Sequence, residues 1–173
     1  MSAIPRELSP EEREKLIQAA ISGISPSSSS LPVYQPAFHL TAKETAYSPY
    51  SKFRVGAALF STDGKIIAGG NVENASYGGW GTICAERTAL VKAVSEGTKT
   101  FLALAVTSDV DEIVSPCGIC RQFIREFCSL KMPIYMVKSS YTPASAETAS
   151  KTVSLEDILP YSFGPEHLEM PRN

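Results

Sequence analysis

Residues 83–107 read ICAERTALVKAVSEGTKTFLALAVT, and their reading decides the fold. Leu90, Val91 and Val94 are spaced for one face of a helix and Gly97 closes the pattern, so a helix from Ala85 to Ser95 with a glycine C-cap is expected. Phe101 to Thr107 is a largely apolar run and reads as a strand. Downstream, CGICRQFIREFCSLKMPIYMV at 117–137 shows the same order. An amphipathic helix from Cys117 to about Cys128 carries Phe123, Ile124 and Phe127 inward, and a strand follows from Met132 to Val137. Upstream, the apolar run Phe53 to Phe60, the turn residues Asp63-Gly64 and the return Lys65 to Ala68 form a β-hairpin. The order β-α-β-α-β predicts an α/β layer fold with helices packed on a sheet.

Farther out the signals weaken. Ser9-Pro10 followed by Glu11, Glu12 and Glu14 starts a helix running to about Ser22-Gly23, with a hydroxyl cap, a proline at the first position and acids facing the amide dipoles. The stretch ISPSSSSLPVYQP, from Ile24 to Pro36, has no periodicity, so an inserted surface loop is expected over 24–38. Thr41 to Tyr47 is expected to resume a short helix, Ser139 to Lys151 to be a polar loop, and Leu155 to Leu159 to form a short helix before the tail.

Length and composition suit one domain over 1–173: 43% of residues are hydrophobic and 20% charged. A net charge of -2 gives no sign of a nucleic-acid polymer as partner. The N-terminus lacks the apolar stretch of a signal peptide and no run is long enough for a bilayer, which points to a cytoplasmic protein. Four cysteines, three of them within two short motifs, fit a metal site in a reducing compartment better than a disulfide framework.

Those motifs carry the chemistry. Cys84, Ala85 and Glu86 precede Ser115-Pro116-Cys117-Gly118-Ile119-Cys120, and both cysteine groups open expected helices. Three thiolates can hold Zn²⁺ and leave its fourth position open, while a carboxylate two residues from the first ligand can move protons there. Three thiolates also leave the cluster negative. Two helix N-termini offset that charge, and Arg87 is the candidate to hydrogen-bond a ligand sulfur, although spacing alone equally allows a surface ion pair. The competing reading is a closed structural zinc site completed by Cys128, His39 or His167. Cys128 lies eight residues beyond Cys120 on one helix, about 12 Å away at 1.5 Å per residue, and the two histidines fall in a loop and the tail.

The pattern matches the signature of zinc nucleobase deaminases. More specifically, AYSPYSKFRVGAALF (46–60), GNVENASY (70–77), ICAERTAL (83–90), SPCGICRQ (115–122) and LPYSFGP (159–165) resemble the small three-cysteine zinc form of the cytidine deaminase family. The resemblance implies a three-layer fold with a mixed five-stranded sheet and helices on both faces, a bound zinc and a homotetramer. It implies hydrolysis of cytidine and 2′-deoxycytidine to the uridines with release of ammonia, in pyrimidine salvage, with Glu86 as proton carrier. It assigns Asn71 and Glu73 to the ribose hydroxyls, Phe53 to the pyrimidine face and backbone near Ala85 and Ser115 to the base. Gln122 joins Arg87 behind the ligands, and Tyr77 and Phe163 reach a neighbouring subunit's site. One departure is GGWGTI at 78–83, longer than the family's usual segment. Deamination of a blasticidin-S-type nucleoside or of a free base is the enzymatic alternative, and a structural zinc module the non-enzymatic one.

Overall fold

Ser9 begins the first helix as its sequence requires. Its Oγ accepts from the Glu12 amide at 3.2 Å while the Glu12 carboxylate accepts from the Ser9 amide at 2.9 Å, a reciprocal capping box. This helix, α1, spans Pro10–Ser22 in the computed structural model, which describes residues 6–22, 43–76 and 81–172. The expected insertion at 24–38 lies outside the described residues, as do Tyr77 and Trp80.

Strands β1 (Val55–Ser61) and β2 (Ile66–Gly70) form the hairpin across Asp63-Gly64. Helix α2 (Ala85–Ser95) leads to β3 (Phe101–Ser108), and α3 (Gly118–Phe127) to β4 (Pro133–Val137). A fifth strand, β5 (Ser150–Ser154), follows the short helix α4 (Ala146–Ala149) and precedes α5 (Leu155–Ile158). The strand order is β2-β1-β3-β4-β5, with β3 and β4 parallel and every other pair antiparallel. A mixed sheet of this order needs a crossover between its two parallel members, and α3 supplies it.

Helices cover both faces. Strand residues alternate between them, so Ala58, Phe60, Ala105 and Val137 meet Leu16, Ile17 and Ala20 of α1, while Leu59, Leu104, Val106 and Ile134 meet Leu90 of α2 and Ile124 of α3. Burial on both sides explains why β3 reads as one continuous apolar run. In α3 only Ile124 of the three expected inward residues is fully buried; Phe123 and Phe127 pack edge to face at the margin of that core.

Two backbone features fix α2. The Gly97 amide bonds the Val94 carbonyl and the Thr98 amide the Ala93 carbonyl, with Gly97 at φ 90, a Schellman stop that tolerates no side chain cheaply. At the other end a Cβ on Gly69 would stand 2.5 Å from the Ala89 amide nitrogen and 2.8 Å from the Ala85 carbonyl oxygen. The first turns of α2 therefore lie directly on the β2 backbone.

Two expectations are corrected. Instead of a short helix over 41–47, Lys43–Thr45 make a single turn and Tyr47 forms a parallel bridge to Val72, because the Tyr47 amide and carbonyl are claimed by Asn71 and Glu73. Within the expected polar loop, Pro143–Ser145 and Ala146–Ala149 are short helices and β5 starts at Ser150, its polar residues being tolerable on an edge strand paired to β4.

Candidate active site

Helices α2 and α3 each begin at a cysteine. Cys84 and Cys117 occupy the N-cap positions in extended conformation, and neither uses its side chain to cap. Their sulfurs are thus free to face outward from the two helix ends, where aligned amides favour negative charge. Cys120 lies in the first turn of α3, fully buried, whereas Cys117 is exposed. The three sulfurs lie within 4.8 Å of one another, with Cys84 Sγ and Cys117 Sγ 3.7 Å apart. Two sulfurs bound tetrahedrally to one Zn²⁺ at about 2.3 Å are about 3.8 Å apart, so this donor set fits the ion. Cys84 is brought down to about 5, first by hydrogen bonding from Cys120 and then by Arg87, while Cys120, donating to it and desolvated, is pushed up.

No fourth ligand comes from the described residues. Cys128 is buried apart from the cluster, and desolvation pushes its thiol up to about 12. The His167 ring stacks on Phe163 at 5.1 Å and accepts the Gly164 amide. His39 lies outside the described residues.

Glu86, in the first turn of α2, is 3% exposed and its Oε2 has no hydrogen-bond partner. Desolvation, reinforced by the negative charge of Cys84, raises the carboxyl to about 7. Arg87 points its Nη2 at the Thr82 carbonyl, 2.7 Å away, and at Cys84 Sγ, 3.8 Å away. A buried acid with a neutral-range pKa and an unused oxygen beside a sulfur cluster is equipped to hold and release protons.

The 71–73 segment reaches this cluster through the backbone. Val72 pairs antiparallel with Ile83, the residue before Cys84, and parallel neighbours Tyr47 on its other side. Asn71 and Glu73 are buried, and both side chains hold the segment that presents Phe53. Asn71 donates to the Phe53 carbonyl at 2.9 Å and accepts from the Val55 amide at 2.8 Å. Glu73 accepts from the Tyr50 and Ser51 amides at 3.0 and 3.2 Å and from the Ser51 hydroxyl, whose hydrogen bond above all lowers its pKa. Phe53 itself is exposed beside them.

Ala85 is fully buried against Gly69. Gln122 is exposed and donates to the Phe163 carbonyl at 2.9 Å, so its amide ties the tail to α3, and Phe163 remains exposed there. Tyr77 lies outside the described residues. Two contributors escaped the sequence reading. Arg121 clamps the turn before Cys117, donating to Ser115 Oγ, the Pro116 carbonyl and the Ile158 carbonyl at 2.7, 2.7 and 2.8 Å. Ser51 grips Glu73. Turn chemistry around Ser48-Pro49 was the one hint of Ser51, and for Arg121 spacing offered none.

The family model described as the cytidine and deoxycytidylate deaminase zinc-binding region matches residues 34–136. A cytidine deaminase of Sporosarcina psychrophila is 50% identical over 127 residues, covering 73% of this chain and 87% of that protein. One from Halalkalibacterium halodurans is 43% identical over 129 residues, 75% of this chain and 91% of that protein. The crystal structure of the Burkholderia pseudomallei cytidine deaminase superposes with a TM-score of 0.67 at 36% identity, covering 87% of this chain and 98% of that one. With a three-thiol cluster, a buried glutamate and this three-layer sheet already in place, the chain belongs to the cytidine deaminase family.

Proposed function

We propose that the protein is a zinc-dependent hydrolase that converts cytidine and 2′-deoxycytidine to uridine and 2′-deoxyuridine with release of ammonia, as expected in pyrimidine salvage. The observation that carries this reading is Glu86, whose buried, unpartnered Oε2 lies beside the three-cysteine cluster. Cys84, Cys117 and Cys120 would hold the zinc, which when bound supplies a Lewis acid that makes water a nucleophile near neutral pH.

Each remaining group has a part. Glu86 takes a proton from the attacking water and delivers it to the ring nitrogen next to C4. The water oxygen bonds to C4 as this proton moves; Glu86 then carries the proton of the new C4 hydroxyl to the amine, the C4–N bond breaks, and ammonia leaves as the C4 carbonyl forms. Burial raises the carboxyl toward neutrality, which suits both directions of transfer near neutral pH. Arg87, through Cys84 Sγ, and the two helix N-termini draw charge off the sulfurs. Phe53 supplies a flat apolar wall for the pyrimidine, and Asn71 and Glu73 receive the sugar. Backbone at Ala85 and Ser115 faces the base.

Assembly and location complete the reading. Ile83, Val91 and Ile119, each 44–51% exposed, line a cavity of about 750 Å³ between α2 and α3 together with Phe123, and burying this face fits a homotetramer in which Tyr77 and Phe163 reach a neighbour's site. Free thiols fit a cytoplasmic enzyme, and among the described residues no helix is long and apolar enough to cross a membrane.

The test follows uridine formation from cytidine with zinc-replete protein, alongside cytosine and blasticidin S. Cytidine should be the preferred substrate, and Glu86→Gln should lose about 10²–10⁴-fold in kcat while retaining zinc. Full turnover in that variant would remove Glu86 from the chemistry.

A further inference from the structure

The segment Ser48–Arg54 presents Phe53, yet it belongs to no helix or strand. Its shape rests on hydrogen bonds. The Lys52 amide donates to the Ser48 carbonyl at 3.1 Å, and Lys52 sits at φ 58, the left-handed region that a residue with a side chain rarely adopts. The next amide, of Phe53, donates to Ser51 Oγ at 3.0 Å, and the same hydroxyl donates to Glu73 Oε1. One exposed side chain therefore holds the amide that follows the unusual residue and the Glu73 carboxylate as well.

We infer that Ser51 is a positioning residue of the nucleoside site, its hydroxyl coupling the sugar-side carboxylate of Glu73 to the aromatic wall of Phe53. The inference rests on the assignment of Glu73 to the sugar. A carboxylate offers about four lone-pair directions. Tyr50 and Ser51 amides occupy Oε2, and the Ser51 hydroxyl occupies one direction of Oε1, which leaves a single acceptor site turned by Ser51 toward a sugar hydroxyl. Loss of the hydroxyl leaves Glu73 Oε1 unheld, with only the two amides on Oε2 to orient the carboxylate, and leaves the Phe53 amide without its partner, so Lys52 can relax out of the left-handed region and carry the ring with it. Such a change alters how the nucleoside is held and leaves the proton carrier untouched.

KM and kcat for cytidine are measured in Ser51→Ala, Ser51→Thr, Glu73→Gln and the double variant Ser51→Ala/Glu73→Gln, with zinc content and melting temperature for each. Ser51→Ala should raise KM about tenfold and change kcat by less than about threefold, and Ser51→Thr, which keeps the hydroxyl, should stay within about threefold of wild type. On the Glu73→Gln background, Ser51→Ala should add less than about threefold, because its route of action is already cut. Ser51→Cys, with a thiol that donates weakly, reads the same coupling if Ser51→Ala does not fold. An unchanged KM in Glu73→Gln overturns the sugar assignment and this inference together. A raised KM in Glu73→Gln with a silent Ser51→Ala, or with effects that multiply in the double variant, overturns the inference alone. A fall in melting temperature with KM intact also overturns it, since that is the mark of a purely structural serine.

Discussion

Gly69→Ala tests whether the closeness of α2 to β2 sets the site. The added methyl would stand 2.5 Å from the Ala89 nitrogen and 2.8 Å from the Ala85 oxygen, so the helix and strand must part by about 0.9 Å to restore an ordinary 3.4 Å contact. Both obstacles are backbone and cannot swing aside. Metal–ligand distances tolerate only about 0.2 Å, so if α2 yields, Cys84 leaves its register with Cys117 and Cys120 and zinc affinity should fall at least tenfold. If β2 yields instead, Asn71 and Glu73 at its end move with it, and KM for cytidine rises. Overpacking of this kind costs about 1–3 kcal/mol, which lowers the melting temperature by about 3–10 °C in a chain of this size. Gly97→Ala is the control. It strains a residue at φ 90 but meets nothing within 4 Å, so it should cost about 1 kcal/mol and leave zinc affinity and KM unchanged. Competition with a chromogenic chelator, steady-state kinetics and thermal melting read all three quantities. A Gly69→Ala protein with native zinc affinity and native KM would refute the argument that this contact positions the site.

Other perturbations isolate single interactions. Arg87→Ala removes the donor to Cys84 Sγ and should weaken zinc binding about 10–100-fold by chelator competition, with α2 still folded by circular dichroism. Burial pushes the Asp109 carboxyl up, but hydrogen bonds from Arg54 at 2.9 and 3.0 Å outweigh it, with Lys43 3.3 Å away, and hold it below its ordinary value. A depressed pKa stabilises above the unfolded value of about 3.9 and is lost as pH falls through the folded one, so Asp109→Asn should cost about 1 kcal/mol at pH 7, a cost that shrinks as pH falls below about 4, by urea unfolding. Val91→Asp places a charge on the apolar face between α2 and α3; the proposed homotetramer predicts a sedimentation profile shifted toward smaller species, and an unchanged profile counts against an interface on this face.

The central helices and strands were legible because local signals agree there. Around Ala85–Ser95 the apolar spacing, the acid in the first turn and the glycine stop all point one way, and the cap geometry repeats them. Strand β5 was hidden because Ser-Lys-Thr-Val-Ser has one apolar residue; only pairing with β4 makes it a strand. The cysteines and Glu86 could be singled out from their spacing, whereas Asn71 and Glu73 were legible only through family likeness. Their partners at Tyr50, Ser51, Phe53 and Val55 lie 16–23 residues away in sequence, and no local pattern announces such pairings.

The two hydrogen bonds of Asn71 to the Phe53 carbonyl and Val55 amide have a consequence for redesign. Together with the Asn71 backbone amide, which donates to the Val55 carbonyl at 3.2 Å, its side chain closes the β1–β2 ladder at the entrance to β1. Under the sugar contact proposed for Asn71, selection at position 71 would therefore act mostly on whether the chain still folds, and variants lost to misfolding would masquerade as variants lost to specificity. Position 73 carries the same constraint in a loop, since its carboxylate holds the Tyr50 and Ser51 amides, so libraries at either position need a folding readout beside the activity readout.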